Sequence, residues 1–93
     1  MAVTILNSIT TSDGISYHAI SVIGSRSEVV VQAYEPNEAG MLNYLCGTAV
    51  SSEKEAIEAV AAIKADDQSH WVYKVVTRAK KESASLSALI QPL

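Results

Sequence analysis

Ser12-Asp13-Gly14, an Asp-Gly turn set between two runs of β-prone residues, constrains this chain more than any other feature. The pair tolerates the positive φ values of a tight turn, and alternating flanks make it a strong hairpin signal. Val3 to Thr10 precedes it, with Val3, Ile5 and Ile9 on one parity and Leu6 on the other. Ile15 to Ile23 follows, with Ile15, Tyr17, Ala19 and Ile23 on one side and Ser16, His18, Ile20 and Val22 on the other. Apolar groups on both parities predict a central strand. Beyond the turn Gly24-Ser25-Arg26-Ser27, Glu28 to Tyr34 reads as a third strand, so the first third of the chain is a meander.

Pro36 cannot donate to a central ladder, and Glu35–Gly40 breaks the pattern. Met41 to Cys46 suits either a short helix, capped by Asn37 and ended at Gly47, or a fourth strand. The strand is favoured, because Gly40 weakens a helix already near the minimum length. Ser52-Glu53-Lys54-Glu55 has the form of a capping box. It opens a helix over 53–65 with Ala56, Ile57, Val60, Ala61 and Ile63 as its apolar stripe and Glu53, Lys54, Glu58 and Lys64 toward water. Residues 70–79 alternate as a returning strand, Trp71, Tyr73, Val75 and Thr77 against Val72, Lys74, Val76 and Arg78. Residues 83–93 form an apolar tail in which Leu86, Leu89, Ile90 and Leu93 recur at helical spacing, with Pro92 ending regular structure.

The expected fold is α+β: an antiparallel sheet of four or five strands with one main helix on one face and a short amphipathic C-terminal tail. One helix cannot cover both faces of such a sheet. The uncovered face must meet water, the tail or a partner.

Composition excludes several functions. The chain has 93 residues and 48% hydrophobic content with 18% charge, which fits one globular domain and argues against disorder. No run approaches the roughly 18 apolar residues of a membrane span, and the start lacks the charged and apolar regions of a secretion signal. The lone Cys46 makes no internal disulfide and favours a reducing, cytoplasmic setting. A net charge of −3 argues against a nucleic-acid binder driven by bulk charge.

No catalytic or cofactor motif stands out. His18, Cys46 and His70 are the soft-ligand candidates, but none has a partner at zinc-site spacing, so no metal is expected. An enzyme using Cys46 or His70 is the least favoured reading, since nothing around either resembles an activated nucleophile. Charge is more informative. Residues 26–67 carry eight acids against three bases, whereas 68–93 carry Lys74, Arg78, Lys80 and Lys81 against Glu82 alone. On a strand, Lys74, Arg78 and Lys80 share a stripe opposite Trp71 and Tyr73, so one face cannot supply both charge and stacking rings. As a solvated edge, that stripe deters edge-to-edge pairing.

The leading expectation is a non-enzymatic, self-associating, cytoplasmic binding module that occupies a surface of a larger protein. Its candidate partner or ligand surface is Lys74, Arg78, Lys80 and Lys81, and its candidate oligomer or docking surface Leu86, Leu89, Ile90 and Leu93. Small acidic domains without motifs are common among inhibitors and accessory proteins of phages and mobile elements, an association of class only. The alternative is an oligomeric protein that captures a small anionic metabolite or nucleotide.

Overall fold

The computed structural model describes residues 2–90, with side chains through Ala84. The strands are β1 (Ala2–Thr10), β2 (Ser16–Ile23), β3 (Glu28–Pro36) and β4 (Leu42–Val50), followed by the helices α1 (Glu53–Lys64) and α2 (Trp71–Ile90). The sheet is an antiparallel meander in the order β1-β2-β3-β4, an α+β arrangement with β2 inside the sheet as its two-sided pattern predicts. The first hairpin closes on Gly14 at φ 86°, where Asp13 Oδ1 accepts from the Ile15 amide at 3.2 Å. Met41–Cys46 enters a strand, as expected, and the hairpin before it turns at Gly40 with φ 80°. Asn37 organises that turn by accepting from the Ala39 and Met41 amides at 2.9 and 3.0 Å.

Helix α1 begins as its capping box requires, with the Ser52 hydroxyl accepting from the Glu55 amide at 3.1 Å. A capping box would have the Glu55 side chain reach back to the Ser52 amide, but here it lands one residue earlier. Glu55 Oε2 accepts from the amide and hydroxyl of Ser51, at 3.2 and 2.6 Å. The buried stripe is Ala56, Ala59, Val60, Ala62 and Ile63, while Ile57 and Ala61 face solvent. Ala59 and Ala62 replace them because the helical side that holds Ala56, Val60 and Ile63 also carries Ala59 and Ala62, while Ile57 and Ala61 lie off it.

Residues 70–79 correct the sequence reading: they form no strand, and 71–79 are the first turns of α2. Trp71–Ile90 is one continuous helix, so the tail residues Leu86, Leu89 and Ile90 extend it, with side chains outside the described residues, as is all of Leu93. The valines and aromatics that alternate at period two also satisfy period 3.6. Val72, Val75, Val76, Ala79 and Ser83 fall on the inner side, and Lys74, Thr77, Arg78 and Lys81 on the outer. His70 starts the helix, its Nδ1 accepting from the Val72 amide at 3.2 Å. Tertiary need decides the ambiguity. Helix α1 lies over β1, β2 and, less closely, β3, so the inner side of β4 stays bare until α2 packs there.

The core is therefore one layer between the sheet and both helices. Ile15, Tyr17, Ala19, Val31 and Ala33 meet Ala56, Ala59, Val60 and Ile63 of α1 and Val72 and Val76 of α2. Both edge strands carry a register shift. In β1 it lies between Ile5 and Asn7, so Leu6 and Asn7 both turn inward. Ile9 thus reaches the core while Val3 and Ile5 face away, although all three share one sequence parity. The shift in β4 similarly lets Leu45 and Cys46 both pack against the core.

Candidate functional site

Side chains on a strand alternate between faces, and antiparallel partners share a face. Both helices cover one side of the sheet, so the other side stays open from edge to edge. On β2, His18, Ile20, Val22 and, at the buried end, Ser16 point there; register adds Val3, Ile5, Ser8 and Thr10 from β1 and Val30, Gln32, Tyr34 and Pro36 from β3. Leu42, Tyr44, Gly47 and Ala49 complete the face from β4.

Two properties distinguish this face. Its outer strands hold large apolar groups in water: Val3 is 58% exposed, Ile5 61%, Leu42 52% and Tyr44 60%. It also holds no Asp, Lys or Arg, and its single Glu is Glu28, opposite Val22 at the end of the sheet. An apolar surface without charge is what distinguishes the centre of a protein interface from ordinary protein surface.

Aromatic rings cross the middle. His18 and Tyr34 meet edge-on with centroids 5.9 Å apart, and Tyr34 meets Tyr44 edge-on at 5.8 Å. The Tyr34 hydroxyl donates to Gln32 Oε1 at 2.9 Å. Gly47 makes room for Tyr44, since a Cβ there would stand 2.6 Å from the tyrosine oxygen. Val3 and Ile5 on one side and Leu42 on the other rim a shallow hollow of about 400 Å³ floored by His18, Ile20, Gln32 and Tyr34.

The cations expected on a strand are redistributed by α2. Lys74, Arg78 and Lys81 share one helical face and, with Gln68, Tyr73 and Thr77, line an open hollow of about 460 Å³. The separation of charge from aromatic rings is thereby overturned, because a helix sets Tyr73 beside Lys74 and Thr77. Lys80 leaves the group and pairs with Asp13 at 3.5 Å. Arg78 is engaged by Glu82 at 3.3 Å. The edge-protecting role is likewise overturned, since β1 and β4 form the edges and α2 lies over the sheet.

Cys46 is half-buried, and burial pushes its thiol above the usual range, away from the thiolate a nucleophile needs. Its inward side and the Nδ1 role of His70 at α2 give both residues structural positions. Among the described residues, no three of His, Cys, Asp and Glu gather where a metal ion could be held, and no helix is long and apolar enough to cross a membrane.

The open face was foreseeable only as a deficit of covering helix. Its residues were not, because the bulge in β1 decides where Val3, Ile5 and Ile9 point. The chain matches no family model, no curated protein and no solved structure.

Proposed function

We propose that this protein is a non-enzymatic protein-binding module whose working surface is the open face of its sheet. The observation that carries this reading is a face whose outer-strand apolar side chains, Val3, Ile5, Leu42 and Tyr44, stand more than half exposed with no charge among them until Glu28 at its end. Such a surface gains free energy when another protein covers it, at roughly 25 cal/mol per Å² of apolar area removed from water. Action by occlusion needs no catalytic group, which suits an inhibitor or accessory protein. The lone, inward Cys46 suits a reducing, cytoplasmic setting.

A photoreactive phenylalanine analogue at Ile5, on the open face, tests this against the same group at Lys54 on the solvent side of α1. Irradiation in cells of the source organism should yield protein adducts from position 5 and few from position 54. Equal yields, or none from position 5, would overturn the reading.

A second reading, capture of a small anion, is favoured by the hollow that sets Tyr73 beside Lys74, Arg78 and Lys81. Its test is nucleotide binding by wild type and Arg78→Glu at low and high salt. Capture requires binding that weakens in the variant and with added salt.

A further inference from the structure

We infer that the occupant of the open sheet face is a second copy of this chain, packed face to face about a two-fold axis as a β-sandwich. This rests on the reading of that face as a docking surface and names its partner. Three observations select the second copy.

The first is charge. In a two-fold interface the same patch meets itself, so any charged residue near the axis faces its own like. Here the patch is uncharged over the full width of the sheet, with Glu28 held at its end. A surface shaped for an acidic or basic partner would carry the opposite charge across it, and this one carries only Glu28, at its end.

The second is relief. Val3 and Ile5 form a ridge on the β1 side, separated from Leu42 by the hollow of about 400 Å³. A ridge and a trough on one surface are the elements of self-complementarity. With the copies offset, the ridge of each enters the trough of the other, at the roughly 10 Å separation of packed sheets.

The third is area. At full overlap, four strands about 4.8 Å apart and about eight residues long project about 500 Å² per copy, or about 1,000 Å² for the pair, which side-chain relief enlarges and the offset reduces. That reaches the lower bound of a specific interface. Edge pairing is the competing route to a dimer, but both edge strands are interrupted by bulges, which disrupt the ladder a neighbour would extend.

Sedimentation velocity of the full chain over about 1–200 μM provides the test. Wild type should pass from monomer to dimer in that range. Ile5→Asp with Tyr44→Asp should raise the dissociation constant about a hundredfold or more, because each buried carboxylate would lack a partner. Both side chains are at least 60% exposed in the single chain, so circular dichroism should be unchanged. If the aspartate pair disturbs folding, Val3→Ser with Leu42→Ser provides a milder pair, expected to weaken the dimer about tenfold.

A wild type that stays monomeric throughout would overturn the inference. So would a dimer indifferent to both pairs of changes, which would place association elsewhere. Light-induced adducts from position 5 that contain only another protein would also sink the second copy while leaving the docking surface standing; adducts of twice the chain mass support both.

Discussion

Tyr17 shows how one side chain ties the core to solution conditions. It is 5% exposed, and burial, reinforced by the Asp13 carboxylate, pushes its phenol from 10.0 up to about 12. Above pH 10 the unfolded chain releases this proton and the folded chain keeps it, so stability falls as pH rises toward about 12. We expect Tyr17 to account for a loss of about 1 kcal/mol between about pH 10 and pH 11. Tyr17→Phe should be nearly neutral at about pH 7 and should flatten that decline, read from urea midpoints at the two alkaline values. An unchanged alkaline slope in the variant would show that Tyr17 does not cause it. The inward direction of Tyr17 follows from simple alternation, as does that of Ile15 and Ala19. Asn7 and Leu45 differ: each turns inward because of a bulge, and a bulge has no signature in a short run of β-prone residues.

Among the elements, α2 separates local pattern from tertiary decision. Its first turns, Trp71-Val72-Tyr73-Lys74-Val75-Val76, are rich in residues with strand preference, yet the segment is helical. Thr77→Pro tests this with little ambiguity. Thr77 is exposed, so the substitution removes no core packing, but in mid-helix it deletes a backbone hydrogen bond and clashes with the preceding turn. The expected cost is about 3 kcal/mol or more in urea unfolding, with loss of helical ellipticity. On a solvated edge strand the same change would be far milder, so a loss below about 1 kcal/mol would contradict the helix. Helix α1 shows the opposite case. Its cap, acidic first turn and apolar period agree with one another, and the observed span differs from expectation at the last residue only.

At the scale of the whole molecule, charge and apolar surface are sorted onto different sides. The cations of α2 lie on the helical layer, and the sheet's open face is free of charge up to Glu28. This sorting predicts how association responds to salt. A dimer held by the open face should change its dissociation constant less than about threefold between about 50 and 500 mM salt, because no exposed ion pair contributes. A steep weakening over that range would instead point to the Lys74, Arg78 and Lys81 surface. Sedimentation equilibrium at the two salt concentrations checks this directly.

By itself, the amino-acid sequence determined what short-range physics controls. The Asp-Gly turn, the alternation of β2 and β3, the Ser52 cap and the stripe around Val60 specify a meander followed by a helix within a few residues of each boundary. They also leave too little helix to cover a sheet, so an open face was implied. Tertiary structure decided the rest. Residues 71–79 satisfied two periodicities, and the bare inner side of β4 selected the helix. That choice moved Tyr73 beside the cations and sent Lys80 to Asp13. The bulges decided which edge-strand side chains face water. Local propensity acts over a few residues, whereas the direction of Val3 or the handedness of a choice between strand and helix is set by groups distant in sequence that must be buried together.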